Sequence, residues 1–238
     1  MNLIEKKEYE LTFVTETNES LMNAIRRYVN HVPVLAVDEV EIVKNDSPLY
    51  DETIAHRFGL LPLKMKGVKK GEVNLKLSTS KEGYVYSDDV KGETEVVYKK
   101  APITYLTNGQ ELELSATAIL GKGIEHAKFS PGMIFYRNVA EVGVDKEIGE
   151  KIKSAVPNVE MKIKGDKTII VDNKKQTVLD ACENFCAETG KVPEVVFQEE
   201  LVVTVESFGQ LNPEEIFIQS VEVLKKDLDE FSKKLGKD

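Results

Sequence analysis

Tryptophan is absent from this 238-residue chain, cysteine occurs twice and histidine three times. Each shortage removes a class of chemistry. His31, His56 and His126 are widely scattered, no pair sits at metal-ligand spacing, and no H-E-x-x-H motif occurs. Each histidine is therefore expected to donate a structural hydrogen bond. Cys182 and Cys186 stand alone, whereas a zinc site would need two further ligands and an iron–sulfur cluster normally four cysteines. They read as inert, buried or half-buried thiols. No G-K-[ST] occurs, and Gly121-Lys122-Gly123 lacks both the P-loop spacing and the third glycine of a dinucleotide fingerprint, so it reads as a tight turn. No run of about 18 apolar residues is present to span a membrane. The start, Met-Asn-Leu-Ile-Glu-Lys-Lys, lacks a basic region followed by an apolar stretch. A cytoplasmic location with reduced cysteines is expected.

Positive charge is also in deficit. Forty-one acidic residues outnumber thirty-two basic ones, for a formal charge of −9 and a pI near 5.1. Phosphate binding needs clustered lysine and arginine, so a free-standing DNA-binding regulator is disfavoured, and any DNA must be reached through other chains. Apolar residues make up 41% and charged residues 31%, the balance of an ordinary folded protein long enough for two small domains or one large one.

Periodicity supplies the elements. Residues 9–15 alternate, with Tyr9, Leu11 and Phe13 on one face of a strand. Asn18 or Ser20 can cap a helix carrying Leu21, Ala24, Ile25, Tyr28 and Val29, with Pro33 marking its end. Residues 34–43 read as the next strand. Asp51 is suited to cap a short helix containing Ile54, Ala55 and Phe58, which Gly59 would stop in a left-handed conformation. From 63 to about 165 the chain is rich in Val, Thr, Gly and Lys in short alternating runs, a mostly β region, with one short helix over 145–154. Residues 177–188 are helical in pattern. A hairpin is expected over 195–207, turning at Glu199–Glu200; that pair, like Asp88–Asp89, reads as solvated turn residues.

The last segment is the clearest. Asn212 is a good cap, Pro213 suits the first helical position, and Glu215 stands at the capping-box position. Phe217, Val221, Leu224, Leu228, Phe231 and Leu235 then step by 4, 3, 4, 3 and 4, an a/d stripe widened by Ile216 and Val223. Periodicity leaves two readings even: a helix packed on its own sheet, or a seam for a partner chain. Arg26 and Arg27 are adjacent on the first helix, so they point about 100° apart and at most one follows the apolar face.

Three matches, taken together, point to one family. Asn23-Ala-Ile-Arg-Arg27, Val32-Pro-Val-Leu-Ala-Val-Asp-Glu-Val-Glu-Ile42 and Asp51-Glu-Thr-Ile-Ala-His-Arg-Phe-Gly-Leu-Leu-Pro-Leu63 resemble the first signature of the α-type subunits of RNA polymerase. Gly121-Lys-Gly-Ile-Glu-His-Ala-Lys-Phe-Ser-Pro131 is similar to the matching stretch of the archaeal and eukaryotic branch. Glu206-Ser-Phe-Gly-Gln-Leu-Asn-Pro-Glu-Glu-Ile216 resembles the family's closing strand-to-helix junction. The matches lie in order along most of the chain, and the nearest resemblance is to the D-type subunits of archaeal DNA-directed RNA polymerase, counterparts of bacterial α.

The resemblance implies an α+β fold: a discontinuous dimerisation domain from 1–42 and 200–238, an inserted β-rich domain over 43–164, and a degenerate third domain over 165–199. It implies a non-catalytic assembly role in transcription. The chain would pair with subunit L through the stripe, which moves that helix from even odds to an interface. Asn23, Arg26, Arg27, His56 and Arg57 would face the large catalytic subunits, chiefly the second largest, and the zinc-binding subunits N and P would dock on the same assembly. The catalytic magnesium aspartates belong to the largest subunit of that family, and nothing like them occurs here. Some D-type subunits carry [4Fe–4S] clusters in the third domain; here only Cys182 and Cys186 remain, so no cluster and no other cofactor is expected. The competing function is a free-standing enzyme with Cys182 or Cys186 as nucleophile, although neither lies in a recognisable nucleophile motif. Iron analysis of the purified protein should find no stoichiometric iron, because two thiols cannot hold a cubane cluster within one chain; a brown protein with about four irons per chain would contradict this.

Overall fold

The computed structural model describes residues 1–65, 71–156, 159–174 and 178–236. In chain order the elements are β1 (Asn2–Lys6), β2 (Glu10–Glu16), α1 (Glu19–Tyr28), β3 (Pro33–Asn45), α2 (Asp51–Gly59), β4 (Glu72–Thr79), β5 (Gly83–Tyr86), β6 (Lys91–Gly92), β7 (Pro102–Leu106), β8 (Leu112–Lys122), β9 (Gly132–Asp145), α3 (Lys146–Ala155), β10 (Glu160–Lys164), β11 (Lys167–Val171), α4 (Leu179–Glu188), β12 (Glu194–Ser207) and α5 (Pro213–Leu235). The chain is thus α+β. It divides into two compact units, each drawn from two separated stretches: residues 1–23 with 134–204, and residues 24–133 with 205–238.

In the first unit the strands form one sheet in the order β1-β2-β12-β9-β11-β10. β2 lies inside this sheet, which explains why residues 11–15 are buried on both faces rather than on alternate ones. Thr12 and Thr204 join β2 to β12 through their hydroxyls at 3.2 Å. The core is Ala140, Val142 and Val144 from β9, Ile148 and Ile152 from α3, Ile170 from β11, and Val178, Cys182 and Cys186 at α4. At its margin Arg137 forms a two-pronged ion pair with the buried carboxylate of Asp172. Asp172 Oδ1 also accepts the N–H of Lys174 at 2.7 Å and so holds Lys174 at a positive φ of 65°.

In the second unit β3, β8, β4 and β6 make a four-stranded sheet, and β5 pairs with β7 as a separate hairpin. β3 and β8 run antiparallel from Pro33↔Lys122 to Asn45↔Leu112. This ladder keeps β3 with the β-rich stretch. Leu35, Val37, Leu75, Leu77, Leu114 and Ala118 bury one sheet face against Ile54 and Phe58 of α2. Val34 and Ala36 point the other way, to Phe129 and Leu211. Alternate residues of one strand therefore serve two clusters, as the period of two requires.

Several expectations need correction. Glu199 and Glu200 do not turn the chain; β12 runs unbroken through them. A two-residue hairpin needs positive φ, which glycine or asparagine supplies and glutamate resists, and Glu200 is instead paired with Lys174. Gly59 ends α2 without positive φ. Asp51 is the first helical residue rather than the cap, and its carboxylate accepts from Asn45 Nδ2 at 2.7 Å. α1 stops at Tyr28, a 3-10 turn follows over Val29–His31, and Pro33 opens β3. Thr177, the expected start of the α4 helix, lies outside the described residues. β1 carries too few apolar residues to have shown as a strand, and it is an edge strand whose residues are mostly exposed.

Removing Asp172 leaves the Arg137 guanidinium without its carboxylate and Lys174 without its cap. Because Arg137 stays partly accessible to water, Asp172→Ala should cost at or just below the roughly 3–5 kcal/mol of a broken buried pair, about 2–3 kcal/mol, in urea unfolding. Glu111→Ala, which breaks an exposed pair with Lys44, should cost under about 1 kcal/mol.

Candidate partner interface

α5 begins with both backbone and side chain fixed. The Asn212 side chain accepts from the N3 backbone, and the Asn212 N–H donates to Glu215 Oε2 at 2.9 Å, a complete capping box with Pro213 at the first helical turn. The residues just before it are equally constrained. Ser207 Oγ donates to the carbonyl of Leu211 and accepts the N–H of Gly209 at 2.8 Å. Phe208 N–H donates to Pro131 O at 2.9 Å and Gln210 Nε2 to Ser130 O at 3.3 Å. Ser130 Oγ in turn donates to Asn30 Oδ1 at 3.0 Å. Gly132 lies so close to the Glu206 carbonyl and Ile216 that no side chain would fit. Residues 121–132 and 206–216 thus build one junction that aims α5.

Along α5 one face changes surroundings. Ile216, Ser220 and Leu224 point inward and are buried, with Leu224 at 9% exposure; Ser220 Oγ returns a 2.7 Å bond to Ile216 O. Phe217 is half-buried and Val221 lies at the margin. Leu228, only 40° or so further round at about 100° per residue, is 57% exposed, and Phe231 and Leu235 are 60% and 62% exposed. The body of the unit ends while the stripe continues. Ile218, which the heptad reading left out, is exposed too and widens the bare surface. Its place one step off the stripe kept it from view.

The remaining site residues are on other helices. Arg26 and Arg27 are both exposed on α1, where the apolar face is carried by Met22 and Ile25, and Asn23 is half-buried there. His56 and Arg57 are exposed at the end of α2, and Arg57 Nη1 donates to Ile103 O at 2.6 Å, which holds the guanidinium in place. His31 stacks on Tyr28 with centroids 4.5 Å apart. His126 accepts rather than donates, taking the Lys128 N–H on Nδ1 at 3.1 Å. Gly121 and Gly123 press against the Phe129 ring and Asn30, so their role is close packing rather than phosphate binding.

Neither cysteine has the surroundings of a nucleophile. Both thiols are buried in the first unit's core, and burial, helped by Cys186 and Glu183, pushes Cys182 up to about 12. Burial raises Cys186 as well. Activated cysteines need the opposite shift. Among the described residues no three His, Cys, Asp or Glu side chains gather as a metal site, and no helix is long and apolar enough to cross a membrane.

Residues 40–135 match the family model for the RNA polymerase Rpb3/RpoA insert domain. The DNA-directed RNA polymerase subunit Rpo3 of Thermococcus kodakarensis is 32% identical over 253 residues, covering 99% of this chain and 97% of the relative. The subunit of the same name from Pyrococcus horikoshii is 33% identical over 257 residues, with 99% and 97% covered. In Archaeoglobus fulgidus the Rpo3 subunit is 30% identical over 260 residues, with 98% and 96% covered. With identity of this level sustained end to end, the chain belongs to the Rpo3 family of DNA-directed RNA polymerase subunits, the D or α-type subunits.

Proposed function

We propose that this chain is a non-catalytic assembly subunit of an archaeal RNA polymerase, working in the cytoplasm and pairing with subunit L to form the platform on which the large catalytic subunits assemble. The observation that carries the reading is the bare apolar surface of Leu228, Phe231 and Leu235 on a firmly capped helix. Exposed apolar side chains in a continuous row are a standing liability unless another chain covers them. Subunits N and P would join the same assembly, and DNA would be met only through it, in keeping with the charge of −9. The two buried thiols, shifted away from reactivity, weigh against the enzyme reading, and with two cysteines in the chain no cluster is expected.

Leu228→Asp or Phe231→Asp should abolish co-elution with subunit L in size-exclusion chromatography while leaving the isolated chain's melting temperature unchanged. Burial of each side chain contributes roughly 1.5–3 kcal/mol, and a desolvated carboxylate costs several kcal/mol more, against on the order of 12 kcal/mol for a nanomolar pair. Lys226→Asp, off the seam, should change little. Leu224→Asp is a different experiment, because Leu224 is buried within its own unit; it should lower stability as well as binding. Persistent co-elution of both seam variants would remove α5 as the interface.

Arg26 and Arg27 support the second half of the reading, contact with the second-largest subunit. Arg26→Ala or Arg27→Ala should leave the pair with subunit L intact and weaken recruitment of that large subunit in reconstitution. Lysine should rescue poorly, since only the planar guanidinium presents a two-pronged donor. Normal assembly of both alanine variants would reduce these side chains to solvation.

A further inference from the structure

β12 is 14 residues long, and its neighbours in the sheet are β2 and β9. β2 has only seven residues, Glu10–Glu16. Thr12 meets Thr204, while Glu16 at the end of β2 shares a cleft with Glu199 and Leu201. The two strands therefore run in opposite directions, and β2 ends beside Glu199–Leu201. Residues 194–198 have β9 on one side and, among the described residues, no strand on the other. Gln198 meets Glu141 and, ten residues along each strand, Phe208 meets Pro131, so no bulge shifts the pairing with β9. Phe208 sends its N–H to Pro131. Backbone direction alternates along a strand, so Val195 and Phe197 turn theirs to the open side.

An open edge is a template for a further strand, and proteins guard it with lysine, proline, short length or a bulge. The outer strands of this sheet are guarded. β10 carries Lys162 and Lys164, and β1 is five residues long with a register shift between Leu3 and Glu5. The open half of β12 reads Glu194-Val-Val-Phe-Gln198, without lysine or proline, and Val196 and Phe197 are 62% and 61% exposed. Charge is one-sided where β2 leaves off. Glu16 and Glu199 are exposed around a cleft of about 590 Å³, and among the described residues neither pairs with a cation. Glu194 and Glu200, by contrast, are matched by Lys167 and Lys174.

We infer that the open edge of β12 takes an extended segment of another polymerase subunit as an added strand, with an apolar side chain on Phe197 and a lysine or arginine in the cleft between Glu16 and Glu199. Main-chain hydrogen bonds would supply the pairing, and the unmatched carboxylates select a basic segment. The inference rests on the assembly reading but not on the α5 seam, because the edge lies in the first unit and α5 in the second.

Hydrogen exchange tests it. In the isolated chain the amides of Val195 and Phe197 should exchange freely; in the complete purified polymerase they should slow by at least about tenfold. Phe197→Pro removes a donor that faces the open side and spares the ladder to β9. Polymerase reconstituted with it should lose the protection at Val195. Glu199→Lys changes only an exposed side chain. It should speed exchange of Val195 and Phe197 in reconstituted polymerase by about 3–10-fold, and the effect should shrink as salt rises. Equal exchange in the isolated chain and the complete polymerase would overturn the added strand. Protection indifferent to Glu199→Lys would overturn the basic occupant. Protection already present in the isolated chain and lost on dilution would make the occupant a second copy, and the inference would fall. Absence of the wild-type chain from purified polymerase would overturn the assembly reading itself, whereas its presence with a freely exchanging edge defeats the added strand alone.

Discussion

The close approach of Gly132 to the carbonyl of Glu206 is the constraint on which the second unit's functional end depends. Two stretches more than seventy residues apart must lie flush there, and only a residue without a side chain permits it. Around that contact Phe208 and Gln210 are tied to Pro131 and Ser130, Ser207 to Gly209 and Leu211, and Ser130 to Asn30. Backbone donors that would otherwise be buried without partners are satisfied. The result is a junction whose exit direction is fixed before α5 begins, and the capping box at Asn212 and Glu215 transmits that direction into the helix.

From this start the first half of α5 is held by burial and the second half by little else than its own helix. The division matters for how a partner helix would be met. A seam that emerges from a packed base has most of its orientation settled before binding, so less conformational freedom is lost when a second chain arrives. On the proposed pairing, the exposed leucines and phenylalanine would be core residues whose other half a second chain supplies. The first unit has a different economy. Its thiols are core filling, and a deeply set charge there, Asp172, is matched by Arg137.

Much of this could be read along the chain because local chemistry decides it. Helix caps at Asn18 and Asn212 act within three residues of themselves. The alternation in 73–79 and 111–120 survives because those strands bury one face, and their apolar residues enter the same cluster. The a/d stripe is a property of helical geometry and was visible in the spacing from Phe217 to Leu235. Scarcity was equally legible: two cysteines and three histidines limited the site chemistry whatever the fold.

What the sequence could not decide was everything set by neighbours distant in the chain. The pair Glu199–Glu200 resembles a turn until β2 and β9 flank β12 and Lys174 meets Glu200. β1 has no pattern of its own and exists because β2 offers it an edge. Leu224 and Leu228 are the same residue type on nearly the same helix face, yet one is buried and the other bare. That difference lies in where the unit's body ends. Periodicity is local and fixed the helix and its stripe; coverage is a property of packed surfaces, so the division of α5 into a buried base and an exposed seam was decided by tertiary structure alone.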